Sequence, residues 1–176
     1  MPTATAHCFA FERLFVLLDI TTDHRQLLQT ALALGRQIDA QVVVIYLEDP
    51  RIQALEAHPY ARAIDGCTFE GCSLGRGQLR RQSTARIRRI EHLIEQEKRR
   101  IGAKANFRQI EAQAREQLVE LVGAQDALVV EQPHRRGRLT RQPHALEVAR
   151  GLQCAMLYVR RRGLLPSVIT LGRGPS

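Results

Sequence analysis

The chain has 176 residues, of which 44% are hydrophobic and 25% charged, and its formal net charge is +8 at pH 7. This composition is typical of one globular domain that is large enough to bury a core without disulfides or structural metals. It argues against a membrane protein, because the longest apolar runs, 14–18 and 42–47, are far shorter than the roughly 20 residues that cross a bilayer.

The first residues, 1–10, are expected to form a frayed tail. They do not predict a signal peptide, because a basic start is missing and acidic residues interrupt the apolar stretch that follows. The cysteines lack C-x₂-C spacing, which predicts reduced thiols and no metal site. They are Cys8, Cys67, Cys72 and Cys154. Together these features predict a cytoplasmic protein.

The N-terminal part of the domain predicts a strand, a helix and a second strand. Residues 11–19 are almost continuously apolar and end in Asp19, as a strand buried on both faces would. The cluster 21–23 is an N-cap signal, and apolar residues at helical spacing continue the helix to Asp39. Residues 41–47 are rich in β-branched side chains and predict the second strand.

The middle of the chain begins with an irregular insertion at residues 50–77, in which a short helix broken by Pro59 precedes four glycines. A long helix is predicted from 78 to 101, with an apolar stripe and a glycine stop at Gly102. Residues 105–110 predict a weak, polar strand near an edge of the sheet.

The C-terminal part continues the alternation of helices and strands. The predicted elements are a helix at 112–122, a strand at 126–131, a basic loop at 132–142, a short helix at 143–152 and a last strand at 154–159. The α/β domain is expected to span 11–162, and residues 163–176 are expected to be a tail without periodicity. Alternating strands and helices predict a doubly wound parallel sheet with helices on both faces. Ligands of such sheets bind at the carboxyl ends of the strands, where the strand order reverses.

The order and spacing of these segments resemble the universal stress protein family, over about residues 11–160. The resemblance rests on the insertion before the third strand and on four apolar segments, Leu14–Asp19, Val42–Leu47, Asp126–Val130 and Cys154–Val159. It implies a Rossmann-like sheet of five parallel strands in the order 3-2-1-4-5. It also implies a role in the stress response and a homodimer joined through the last strand.

Many members of that family bind ATP through a loop of the form G-x₂-G-x₉-G-[S/T] after the fourth strand. The glycines let backbone N–H groups approach the phosphates. Here the glycine positions fall on Glu131, on His134 and near 142–144, and none of them is glycine. A carboxylate at Glu131 would also oppose a phosphate by like charge. The resemblance therefore implies a degenerate nucleotide site, and we expect no cofactor, with ATP binding disfavoured.

Asp19 matches the acid that lies near the nucleotide in ATP-binding members of the family. It is expected either to contact a ligand or to cap a helix. The other candidate ligand-binding residues are Glu131 and, in the loop that follows it, His134, Arg135, Arg136, Arg138 and Arg141. Four arginines ahead of a helix N-terminus favour an anion, and a charged loop without a ligand is the alternative.

No catalytic or metal-binding residues are predicted, because the chain lacks the P-loop, G-x-S-x-G, G-x-G-x-x-G and H-E-x-x-H motifs. The main hypothesis is a non-enzymatic regulatory or adaptor protein of universal-stress type with an unknown protein partner. One alternative is a nucleotide or anion sensor that uses Asp19 and the basic loop. Another is a nucleic-acid-binding protein that uses its basic surface, including the arginines of helix 78–101, which otherwise form a solvated face.

Overall fold

The structure is a computed structural model, and it describes residues 11–20, 22, 24–48, 50, 54–55, 58, 62–64, 71–73, 77–110, 114–132, 144–150, 152, 154–162 and 165–173. Within these ranges the strands are β1 (Arg13–Leu18), β2 (Gln41–Leu47), β3 (Arg62–Ile64), β4 (Gly71–Ser73), β5 (Ala105–Ile110), β6 (Asp126–Glu131), β7 (Ala155–Arg162) and β8 (Leu165–Arg173). The helices are α1 (His24–Gln37), α2 (Gln78–Ile101), α3 (Ala114–Leu121) and α4 (His144–Ala149).

Six of the strands form one sheet in the order β5-β2-β1-β6-β7-β8. All neighbours from β5 to β7 are parallel. When these five parallel strands are counted along the chain their order is 3-2-1-4-5, which confirms the predicted doubly wound α/β fold. The most polar of them, β5, lies at one edge of the sheet, as its composition predicted.

The C-terminal stretch differs from its prediction as a tail. Leu165–Arg173 form β8, which pairs antiparallel with β7 from Ala155↔Arg173 to Arg162↔Leu165. The sequence pattern did not indicate a strand, because Pro166 and Gly172 interrupt it, and such residues are tolerated only at edges. Since β7 has a neighbour on both sides, a second copy of the chain could pair with it only by displacing β8.

The insertion at residues 50–77 contains a small antiparallel ribbon that the sequence analysis did not anticipate. In this ribbon β3 pairs with β4, with Ala63 opposite Cys72. Strands of three residues are too short to show a period of two, so no pattern could reveal them. Most of the insertion, including Pro59, lies outside the described residues.

The core lies on both faces of the sheet, as the uninterrupted apolar strands predicted. Leu14, Val16 and Leu18 of β1 pack with α1 and α2, whereas Phe15 and Leu17 pack with α3 and α4. Each fully buried side chain of this size contributes roughly 1.5–3 kcal/mol relative to exposure. The apolar strands leave the buried aspartates Asp19 and Asp126 at the two ends of the sheet.

The long helix α2 begins and ends where it was predicted to. Gly102 is left-handed with φ 66°, and its N–H bonds the carbonyl of Lys98 at 2.8 Å. Ile90 and Ile94 are buried against the sheet. Glu97 is buried beside them and accepts a 2.8 Å hydrogen bond from Nε2 of Gln29, which connects α2 to α1.

Candidate functional site

The strand order reverses between β1 and β6, so the predicted ligand edge lies at the carboxyl ends of these two strands. Asp19 directly follows β1, and Glu131 is the last residue of β6. The structure therefore brings these two acids to the same edge, as the sequence predicted. Their surroundings decide whether a ligand can use them.

Asp19 is completely buried, with a relative exposure of 0%. Its Oδ1 accepts a 3.0 Å hydrogen bond from the hydroxyl of Thr22. Its Oδ2 accepts a 2.9 Å hydrogen bond from the backbone N–H of Ala145, at the start of α4. Both carboxylate oxygens are thus engaged by the chain itself.

Of the two roles expected for Asp19, the cap is the one that the geometry displays. The helix capped by its carboxylate is α4, however, and not the α1 that follows Asp19 in sequence. Thr22 serves the local turn, because its Oγ1 also accepts a 3.1 Å hydrogen bond from the N–H of Asp19. A free amide at a helix start attracts anions, and here the amide of Ala145 has an internal carboxylate.

The rings of His24 and Tyr46 meet beside Asp19. Nε2 of His24 lies 2.8 Å from the carbonyl oxygen of Asp19. Because a carbonyl only accepts, that nitrogen carries the proton. The two rings meet edge to face, with centroids 6.1 Å apart. Tyr46 is buried, which raises its pKa, and a hydrogen bond with Arg86 partly offsets the effect.

Polar side chains farther along the same edge also bond one another. Oε1 of Glu48 accepts hydrogen bonds from Ser83 at 2.9 Å and from Gln109 at 3.0 Å. Nη1 of Arg86 reaches the carbonyl oxygen of Ile20 at 3.4 Å. These contacts connect β1, β2 and β5 with α2, so this part of the ligand edge is a hydrogen-bonded network.

The sequence pattern distinguishes none of these network residues except Arg86, which belongs to the basic face of the long helix. Glu48 follows a strand directly, which is the same signal that identified Asp19, and it could have been found in that way. Tyr46 lies within an apolar strand and His24 opens a helix, so neither pattern distinguishes them from core or surface residues. Ser83 and Arg86 reach the edge only through the packing of α2.

The remaining predicted site residues are only partly described. Glu131 is half-buried and pairs with Val159 through the backbone, and the N–H of Gln132 bonds the carbonyl of Val159 at 2.9 Å. The other five lie outside the described residues, and they are His134, Arg135, Arg136, Arg138 and Arg141. Their role in binding stays a prediction.

The opposite end of the sheet, where the parallel strands begin, holds a second buried acid, Asp126, at the start of β6. Arg13 binds it in a bidentate manner, with Nε to Oδ1 at 3.0 Å and Nη2 to Oδ2 at 2.7 Å. The N–H of Gly123 adds a 2.6 Å hydrogen bond to Oδ2. The carboxylate in turn raises the pKa of Arg13. This ion pair joins two neighbouring strands far from the ligand edge, which is typical of a structural role.

Cys154, beside Asp126, is half-buried, and its burial raises the pKa of the thiol to about 11. A thiol of this kind is protonated and unreactive at neutral pH.

Among the residues that the structure describes, no group of three or more His, Cys, Asp or Glu side chains is placed to hold a metal ion. No helix in the described ranges is long and apolar enough to span a bilayer.

Comparison with known proteins gives matches in structure only. No protein-family model matches the chain, and no curated protein is similar to it in sequence. A universal stress protein family member from Burkholderia pseudomallei superposes with a TM-score of 0.53 and 16% identity, over 85% of this chain and 96% of that one.

Two further matches come from Archaeoglobus fulgidus. Its universal stress protein gives a TM-score of 0.48 at 13% identity, covering 84% of this chain and 93% of that one. A structure of the universal stress protein in complex with dAMP gives a TM-score of 0.38 at 14% identity, covering 69% of this chain and 82% of that one. The strand order and the Burkholderia match together show that this chain has the fold of the universal stress proteins.

Proposed function

We propose that this chain is a universal-stress-type regulatory or adaptor protein that acts without catalysis and without the ATP binding of that family. The observation that carries the proposal is the state of Asp19. Its carboxylate is 0% exposed and bonds Thr22 and Ala145. A nucleotide could use this carboxylate only if α4 first gave up its cap, which costs about 1 kcal/mol.

The sequence of the loop after β6 supports the same proposal. Backbone N–H groups cradle phosphates when glycines allow a close approach. The first loop position holds Glu131 and the second holds His134. A negative side chain at the first position opposes a triphosphate, and side chains at both positions restrict access to the backbone.

Isothermal titration of the intact protein with Mg·ATP tests the proposal. We expect no heat of binding beyond dilution. An affinity in the low-micromolar range would overturn it. A thermal-shift screen with other nucleotides, phosphate and acidic metabolites extends the test to the sensor alternative. A saturable increase in melting temperature with any of these ligands, lost in Asp19→Asn, would favour a sensor instead.

We also propose that the protein acts in the cytoplasm as a homodimer. Four cysteines without metal-site spacing suit a reducing compartment. The outer edge of β8 supports the dimer, because an edge strand at the end of a sheet offers backbone groups for pairing. Sedimentation velocity is expected to give about twice the monomer mass of 19.9 kDa. A species of monomer mass at micromolar concentration would contradict the dimer.

A further inference from the structure

The helix α2 has an uneven distribution of charge. Its first half, 78–89, carries arginines and no acidic residue, and the arginines are Arg80, Arg81, Arg86, Arg88 and Arg89. Its second half, 90–101, contains all of its glutamates. Glu95 pairs with Lys98 at 2.7 Å, and Glu97 pairs with Arg100 at 2.7 Å. Glu95 and Glu97 are therefore engaged within their own half of the helix.

An open pocket of about 490 Å³ lies against the first half of α2. It is lined by Gly77, Arg80, Arg81, Thr84, Ala85 and Arg88. Spacings of three and four residues place these positions on one face of the helix. Arg86 belongs to a different face, since it reaches the carbonyl of Ile20 at the edge of the sheet. Within the described ranges, Arg81 and Arg88 have no ion-pair partner.

The position of the arginines is unfavourable for the helix itself. The first turn of α2 contains no acidic residue, and its N-cap, Gly77, makes no side-chain capping hydrogen bond. Arg80 and Arg81 stand close to the positive end of the helix dipole, which favours anions and disfavours cations. Local rules are broken in this way mainly at functional sites. An anionic partner would relieve the repulsion between these charges.

We propose that this face of α2, which we call the arginine pocket, binds the phosphate backbone of nucleic acid without reading its sequence. The rise of 1.5 Å per residue separates Arg81 from Arg88 by about 10 Å along the helix. One small anion cannot contact both ends of such a row, whereas successive phosphates of one strand can. Arginine also binds phosphate in a bidentate manner, and the net charge of +8 attracts a dense polyanion.

The experiment compares two triple variants of the 176-residue chain. The test variant is Arg80→Gln, Arg81→Gln and Arg88→Gln, which removes three charges from the pocket. The control is Arg36→Gln, Arg99→Gln and Arg108→Gln, which removes three charges from exposed positions elsewhere. Both variants should fold, because all six side chains are exposed, and thermal unfolding checks this. Fluorescence anisotropy then measures binding to labelled single-stranded and duplex oligonucleotides of about 20 nucleotides, between about 50 and 200 mM salt.

We expect the pocket variant to bind nucleic acid at least about tenfold more weakly than the wild type. The slope of log K against log salt should become smaller in magnitude by about two to three, because three phosphate contacts are removed. The control should lose less than about threefold. Equal losses in both variants would overturn the proposal, because they would indicate diffuse charge. Absence of binding by the wild type at the lowest salt would also overturn it. The proposal would also be overturned if polyglutamate competed as effectively as nucleic acid of equal charge, since the partner would then be an acidic protein segment.

Discussion

Each end of the central sheet carries a buried aspartate next to a strand, but the two acids have different partners. Asp126, at the amino end, is bound by the guanidinium of Arg13 in a bidentate ion pair. Asp19, at the carboxyl end, bonds the hydroxyl of Thr22 and the backbone amide of Ala145. The comparison matters because only the carboxyl end is the ligand edge of such folds.

The difference shows that location at a ligand edge does not make an acid available to a ligand. Asp19 lies at the carboxyl ends of the strands, where ligands of such folds bind, but it has the environment of a structural residue, with an exposure of 0%. Asp126 has an exposure of 1% and lies at the amino end of its strand, where ligands of such folds do not bind. If both acids are structural, removal of either should lower the stability of the fold.

The largest effect is expected for Asp126→Ala, which leaves the N–H of Gly123 without its acceptor and Arg13 with only the carbonyl oxygen of Leu121. Loss of a buried charged partner costs up to 3–5 kcal/mol, and because the Arg13 side chain is 39% exposed we expect about 2–4 kcal/mol. Urea unfolding measures this value. Asp126→Asn, which keeps the shape and one acceptor, should lose less. A loss of stability below about 1 kcal/mol in the alanine variant would show that Asp126 has no important structural role.

Asp19→Ala should destabilise the protein by about 1–2 kcal/mol, because it removes the α4 cap and an acceptor of Thr22. Asp19→Asn retains one carbonyl oxygen and is expected to lose roughly half as much. Urea unfolding again gives the values, and they should be smaller than those at Asp126. If Asp19→Ala were as stable as the wild type, its carboxylate would not be structural and the comparison would fail.

A third buried acid, Glu97, lies at neither end of the sheet but between the helices α1 and α2. Its pKa is held below the usual 4.5, first by the hydrogen bond from Gln29 and further by Arg100. A lowered pKa stabilises the fold above the unfolded-state pKa, and this contribution is lost as the pH falls through the folded-state pKa. Glu97→Gln should therefore cost about 1 kcal/mol at neutral pH and progressively less below pH 4.5.

Denaturant unfolding of the wild type and Glu97→Gln across the acid range measures this difference. Glu95→Gln on the same helix is the matched control, because its side chain is 55% exposed. We expect the control to change stability little at any pH. A stability difference for Glu97→Gln that is independent of pH would show that the charge of Glu97 is irrelevant to the α1–α2 contact.

The smallest effect is expected at Cys154, whose pKa is raised mainly by burial and secondarily by the charge of Asp126. Removal of that charge in Asp126→Asn should lower the thiol pKa and speed alkylation a few-fold at about pH 8. Asp19→Asn, at the other edge, should leave the rate unchanged. Iodoacetamide labelling in a background without the other three cysteines measures both rates. Equal acceleration by both substitutions would indicate general loosening of the fold.

The fold could be predicted from sequence where the chemistry is local and periodic. The apolar β1 and β2, the stripe of α2 and the stop at Gly102 all follow from patterns within a few residues. The strand β8 could not be predicted, because its pattern is broken and its pairing with β7 stabilises it. The ribbon β3–β4 is too short to carry a pattern.

The site could be predicted only in part, for a related reason. The sequence placed Asp19 at the carboxyl end of β1, since an acid ended an apolar run. It did not identify Ala145 as the partner, because 126 residues separate the two in sequence. Nor did it place Tyr46 and Arg86 beside Asp19, because that contact depends on how α2 packs against the sheet.

The most direct test of the account follows the amide of Ala145 in two-dimensional NMR spectra while Mg·ATP is added to the protein. Because the Asp19 carboxylate holds this amide in a buried hydrogen bond, we predict that its signal stays in place and remains protected from exchange with solvent. Saturable movement of the Ala145 signal at micromolar ATP would contradict the account, since it would place a nucleotide beside the hydrogen bond between Asp19 and Ala145.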